Sequence, residues 1–210
     1  MSRVPLTVER IVVAALARID HDGLHAFSMR KLGADLGVEA MALYKHVPDK
    51  ETLLDHVVAH VYAEVDLPDP DLAWDERIRH VAHALRAAVL AHPHVLTRAV
   101  TQPPTTPVVQ QRIDVLLGAL RDATGDDTLA VRHFWVITAF VSGALLAETT
   151  AVRQAATTDL AAELDVIACP SLAALGPVLA SCDFATEFTF GLDTVLAAVP
   201  VTRRRTRSSR

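Results

Sequence analysis

The sequence predicts an all-α protein in two parts. Apolar residues recur at three- and four-residue spacing, and no segment shows the alternation of a half-buried strand. Glycine is scarce, with eight in 210 residues, too few for the tight turns of an all-β chain. Composition shifts at DLPDPDLAW, residues 66–74, where Pro and Asp mark a linker. The expected division is a compact N-terminal domain over residues 1–65, a linker over 66–73, a larger helical domain over 74–200 and a basic, disordered tail over 201–210.

Each element has its own signal. Thr7 is an N-cap residue, and Ile11, Val12, Ala15, Leu16 and Ile19 then follow at helical spacing. Gly23 is free to take a positive φ and end that helix. Ser28 caps MRKLGADL, whose inward residues are Met29, Leu32 and Leu36, and Gly37 breaks it. A short helix over about Glu39–His46 follows. Pro48 precedes a long helix from Asp49 to Val65, since Pro favours a helix start.

Beyond the linker, Trp74–Ala91 is the first long helix and His92-Pro-His94 ends it. A short helix reaching Val100 comes next, then the loop TQPPTTP. Val108–Thr124 is helical, and Gly125-Asp-Asp stops it. Asp127 or Thr128 is expected to cap an apolar helix reaching Thr150. A further helix is expected over Thr157–Ile167, an irregular stretch over Cys169–Pro177, and a last apolar helix over Asp183–Val199.

Composition bounds the function. Just over half of the residues are hydrophobic, so a sizeable core is available. Cys169 and Cys182 give neither a disulfide framework nor metal-ligand spacing. MSRVPLTVER has no apolar core of a signal sequence. The apolar stretch Val136–Ala147 is too short to span a bilayer. A cytoplasmic protein without a membrane partner is the expectation. The net charge of −5 argues against a uniformly basic surface but leaves room for a locally sorted basic face.

The segment MRKLGADL-GVEAMALYKHV places two helices around a glycine turn, and the second is barely two turns long. That is the pattern of a helix-turn-helix, in which the second helix enters a major groove about 12 Å wide. Leu32, Leu36, Val38, Leu43 and Val47 fall on the inward side. Arg30, Ala40, Met41, Ala42, Tyr44, Lys45, His46 and Lys50 fall outward.

SMRKLGADLGVEAMALYKHVPDKETLLDHV resembles the DNA-binding motif of the tetracycline repressor (TetR) family of bacterial transcription regulators. The matching marks are Ser28, Arg30-Lys31-Leu32, Leu36-Gly37-Val38, Leu43-Tyr44, His46-Val47 and Lys50 with Leu53-Leu54. The resemblance is strongest over residues 7–65. It continues through Trp74, the A-H-P-H stretch and Gly143–Glu148, which points to the branch of the tetracycline repressor itself.

The resemblance implies a homodimeric regulator, expected to be a repressor, bound to a palindromic operator in double-stranded DNA and released by a small molecule. It needs no cofactor and no metal. The DNA-facing set it implies is Ser28, Met29, Arg30, Ala40, Met41, Ala42, Tyr44, Lys45, His46 and Lys50. Arg30 is the expected base reader, since a guanidinium bonds guanine O6 and N7 bidentately. Tyr44, Lys45, His46 and Lys50 are the expected phosphate contacts.

An inducer pocket is expected from His80, His83, Arg98, Gln102, His133, Phe134, Trp135, Thr138, Ser142 and Glu148, which mix apolar walls with a few polar groups. Positions that grip the drug in tetracycline-binding relatives carry Ala99, Val81 and Val65 or Asp66 here. A magnesium–tetracycline inducer is therefore not expected; a mostly apolar molecule is. The dimer interface is expected from the last helix and the one before residue 150, with Phe140, Leu145, Phe184, Phe188, Gly191, Leu192 and Val195 at the contact.

Two alternatives are a helical-bundle enzyme using His80, His83, His133 and Glu148, and a DNA-binding dimer without a ligand. The sequence has no HExxH, phosphate loop or nucleophile elbow to support catalysis. His56, His60 and Glu64 share one helical face, but nothing nearby in sequence completes a metal site.

Overall fold

The computed structural model describes residues 5–101, 106–155 and 169–202. Among these residues the elements are helices and a single 3₁₀ turn, Leu24–Ala26. The helices are α1 (Val8–Asp22), α2 (Met29–Leu36), α3 (Ala40–Leu43), α4 (Lys50–Ala63), α5 (Trp74–Ala91), α6 (Leu96–Thr101), α7 (Pro107–Thr124), α8 (Asp127–Ala155), α9 (Pro170–Ala180) and α10 (Phe184–Ala197). The helix expected over 157–167 and nearly all of the basic tail lie outside the described residues.

The expected caps form. Thr7 Oγ1 accepts from the Arg10 amide at 3.3 Å, Ser28 Oγ from Lys31 at 3.3 Å, and Asp49 Oδ1 from Thr52 at 2.6 Å. Each satisfies a donor that the first helical turn leaves open. Helix α8 is capped one residue earlier than expected: Asp126 Oδ1 accepts from the Leu129 amide at 2.9 Å.

The stretch expected to be irregular, from Cys169 to Pro177, belongs to helix α9. Pro170 occupies its first turn, where no amide bond is lost. The Ala and Leu residues between the two prolines favour helix strongly enough to carry it past Pro177. The apolar stretch in α8 is also longer than expected. Within α8 the span Asp127–Thr150, 24 residues with hydropathy 1.6, is long and apolar enough by length and composition to cross a membrane.

The described chain divides into two compact units, residues 1–122 and 123–210. This division by packing lies apart from the composition shift at residues 66–74. In the first unit, Ile11, Ile19, Leu32, Leu43, Val47, Leu53 and Val57 form a core that extends without a break to Val81, Ala88 and Val95. Helices α5 to α7 cover apolar surface that α1–α4 would otherwise leave wet. In the second unit α8 packs along α10. Thr202 closes that unit, its amide donating to the Ala123 carbonyl at 2.8 Å.

Candidate nucleic-acid interface

The turn between α2 and α3 is built by two glycines. Gly37 takes the left-handed conformation, φ 66° and ψ 33°. Its amide donates to Ala34 at 3.2 Å and the Val38 amide donates to Gly33 at 2.9 Å. This pair of bonds is the Schellman closure of a helix end. Gly33 was not singled out by sequence. A β-carbon there would lie 2.8 Å from the Val38 carbonyl oxygen and 3.2 Å from the Ala40 nitrogen. Only a residue without a side chain lets the turn fold this tightly against α2. The fixed spacing of Gly33 and Gly37 within the motif is the signal that could have found it.

Helix α3 is shorter than the expected Glu39–His46. Regular helix covers Ala40–Leu43, and the chain then tightens into a turn. The His46 and Val47 amides both donate to the Leu43 carbonyl, at 2.9 and 3.0 Å. Leu43 and Val47 are fully buried and anchor this segment. Leu36 and Val38 are half-buried against the same core.

Anchoring one side fixes what the other side presents. Arg30, Met41, Tyr44, Lys45 and His46 are exposed, and Ser28, Ala40 and Ala42 are half-buried. Tyr44 is 40% exposed, so it is not the core aromatic that its neighbours might suggest. Met29 corrects the expected DNA-facing set. It is 7% exposed and belongs to the core, because it starts the inward stripe of α2. Lys50 is half-buried. Its ammonium donates to the Phe27 carbonyl at 3.1 Å and lies 5.5 Å from the Phe27 ring centroid.

The charges of the first unit are sorted. Asp and Glu slightly outnumber Lys and Arg over residues 1–65, yet most of those acids are tied inside the unit. The Arg18 guanidinium spans Asp35, bonded from Nε at 2.7 Å, and Asp22 at 3.1 Å from Nη1. Those two carboxylates hold the guanidinium pKa above its ordinary value, Asp35 contributing most. Asp22 in turn is lowered to about 2, first by its bond to His21 and then by Arg18. His92 places Nδ1 2.8 Å from Asp20 and Nε2 3.5 Å from Glu64. By contrast, among the described residues no hydrogen bond or ion pair engages the side chains of Arg30, Lys45 or His46. Their donors face solvent on the α2–α3 side.

Two family models match the sequence. One, for the C-terminal domain of tetracyclin-repressor-like proteins, matches residues 67–202. Another, for bacterial regulatory proteins of the tetR family, matches residues 11–57. The chain belongs to the tetR family. It is 30% identical to the class D tetracycline repressor protein of Escherichia coli over 205 residues, 93% of this chain and 90% of that one. It is 36% identical to an HTH-type transcriptional regulator of Saccharopolyspora erythraea over 119 residues, 56% of this chain; that match spans only half of the longer relative. The solved structure of Streptomyces coelicolor ActR in complex with actinorhodin has a TM-score of 0.79 at 30% identity, covering 93% of this chain and 97% of that one. As a tetR-family protein the chain is a dimeric, ligand-responsive regulator of transcription that binds DNA.

The residues expected around an inducer fall in both units. In the first, His80 is exposed and its Nε2 lies 3.2 Å from the Asp66 carbonyl, and His83 is exposed. Arg98 is engaged within the unit. Its side chain is 10% exposed, with Nη2 bonded to Asp55 at 2.6 Å and to the Glu51 carbonyl at 3.2 Å, and Nη1 paired with the Glu51 carboxylate. Arg98 thus ties α6 to the first turns of α4. Arg112 of α7 makes a separate tie past the end of α4, donating from Nη2 to the Val65 carbonyl at 2.7 Å. Val65 and Val81 are core residues of this unit. Gln102 lies outside the described residues.

In the second unit, α8 carries His133, Phe134, Thr138 and Ser142, all half-buried, and Glu148, which is 6% exposed. His133 Nδ1 is buried and lacks a hydrogen-bond partner. Trp135 is 67% exposed and meets Phe134 edge to face at 5.5 Å. The Thr138 hydroxyl is turned back to the Phe134 carbonyl at 2.8 Å.

Several residues expected at the dimer contact are used within the chain. Leu145, Phe188 and Leu192 are buried, and Phe140 lies 6.0 Å from Phe188, centroid to centroid. Gly191 faces the same ring: a β-carbon there would overlap the edge of Phe140. These five residues join α8 to α10, because one chain alone supplies both helices of the contact. Phe184 and Val195 are half-buried, and Phe190, Val136 and Leu146 stay exposed.

Proposed function

We propose that the α2–α3 face enters the major groove of operator DNA. In this reading Arg30 reads a base edge, and Ala40, Met41 and Ala42 line the groove floor. Ser28, Tyr44, Lys45, His46 and Lys50 hold phosphates, which set register and affinity rather than sequence. The observation that carries the reading is the sorting of charge. Most acids of residues 1–65 are bonded internally, while Arg30, Lys45 and His46 present unspent donors on one face. Residues 1–65 act as the reader and residues 74–200 as the sensor and dimerisation region, although the packing core runs across the linker between them.

The ligand in this reading is a small, mostly apolar molecule held near His133, Phe134, Trp135, Thr138, Ser142 and Glu148. The buried, unpartnered Nδ1 of His133 supports it, as does the likeness to ActR, whose structure holds actinorhodin. The exposed apolar positions of α8 and α10, Val136, Leu146 and Phe190 among them, supply the contact to a second copy, with half-buried Phe184 beside them. No catalytic role is assigned, and the protein works in the cytoplasm as a repressor.

Arg30→Ala tests the reader. A lost bidentate contact costs roughly 1–3 kcal/mol and relaxes discrimination at one base pair. The expected result is a large loss on the selected operator and a small loss on random DNA at equal salt. Equal losses on both would remove Arg30 from base reading.

A further inference from the structure

The reading helix carries no hydrogen-bonding side chain from Ala40 through Leu43. Leu43 is buried, and Ala40 and Ala42 are half-buried. Met41 is 73% exposed, the most exposed large apolar side chain among the described residues. A long apolar side chain left in water on an isolated helix tip gains nothing for the fold. Apolar atoms distinguish few features in a major groove. Three of the four bases present only donors and acceptors there, and thymine alone adds a C5-methyl group.

We infer that Met41 is a specificity-determining residue that reads a thymine methyl group in each half-site. The inference rests on the proposed orientation of the α2–α3 face. Sequence discrimination is then shared: Arg30, at the N-terminal end of α2, takes a hydrogen-bonding base edge, and Met41 takes a methyl group. The thioether suits this work, because an unbranched, polarisable chain adapts its shape to an apolar partner. Burying one methyl group against Met41 is worth about a fourfold change in affinity, and about fifteenfold when both half-sites are altered.

The test uses the full chain and a duplex selected from random sequence by the protein itself. Each symmetry-related pair of thymines is replaced by deoxyuridine, which removes the methyl group and keeps the base pair. Wild-type protein is expected to lose about fifteenfold at one such pair and little at the others. In Met41→Ala that sensitivity disappears, and affinity for the unmodified operator falls by about the same fifteenfold. Met41→Gln is expected to shift the preference at that position from thymine to adenine, which an amide bonds bidentately. Met41 is solvent-exposed, so neither variant disturbs the core.

A selected operator indifferent to every thymine methyl would overturn this inference and leave the DNA-reading face standing. So would a deoxyuridine profile in Met41→Ala identical to wild type. Failure to select any duplex would remove both.

Discussion

Arg98 is the residue whose removal speaks most directly to how the reader is held. Arg98→Met keeps the aliphatic stem and deletes the guanidinium. Three bonds between α6 and α4 are lost. The pair with Glu51 is worth little, because that carboxylate is 68% exposed and an exposed ion pair contributes about 0–1 kcal/mol. The bond to Asp55 counts for more, since the two side chains are 10% and 31% exposed; a charge-assisted bond of this kind contributes about 1.5–3 kcal/mol. Burial works against the Arg98 charge, but the bonds to Asp55 and Glu51 outweigh it and hold its pKa above the ordinary value. Arg98→Met should therefore cost about 2–3 kcal/mol, or roughly 5–10 °C in Tm for a chain of this size. Circular dichroism melts at equal protomer concentration would measure it. A double-mutant cycle with Asp55→Asn should return a coupling of at least ~1 kcal/mol. Additive single effects would refute the claim that this pair ties α6 to α4. Because α4 follows α3 after only the turn at Pro48, the variant should also bind the selected operator more weakly.

Further predictions follow from other contacts. Gly191→Ala should destabilise the protein by about 1–3 kcal/mol in a urea titration, and Phe140→Leu in the same chain should recover part of that loss. Lys50→Ala should lower both Tm and operator affinity, because the ammonium also holds the Phe27 carbonyl, whereas Lys45→Ala should lower affinity with Tm unchanged. The folded-state pKa of Asp22, about 2 against an ordinary 3.8, contributes stability that is full above 3.8 and lost as pH falls through about 2. Asp22→Asn should flatten the urea midpoint across that window, and an unchanged pH profile would show that its pairs with His21 and Arg18 do not persist in solution.

Much of the fold was legible because it is written in local signals. A capping hydroxyl or carboxylate at Thr7, Ser28 and Asp49 sits within three residues of the amide it satisfies, so sequence spacing alone locates it. Gly37 is legible for the same reason, since only glycine takes that backbone conformation cheaply. Helix α9 was missed because proline is a strong break signal, and its tolerance in a first turn depends on where the helix begins. Met29 was placed inward by apolar spacing and DNA-facing only by the resemblance, and its burial agrees with the spacing. Phe140 and Gly191 were read as part of a contact between chains; apolar pattern marks burial without naming the partner, and within the chain the two residues pack α8 on α10. Charge sorting was invisible to composition. Arg18 finds Asp35 and Arg98 finds Asp55 across 17 and 43 residues, and only those pairings explain how an acidic chain presents a basic face.

The most direct test of the account is selection of random duplex DNA on the purified full-length protein at physiological salt. The account predicts a palindromic site whose half-site centres lie about one helical turn apart, roughly 34–36 Å, bound by two copies. Enrichment of no sequence, or of a single unpaired half-site bound by one copy, would contradict it.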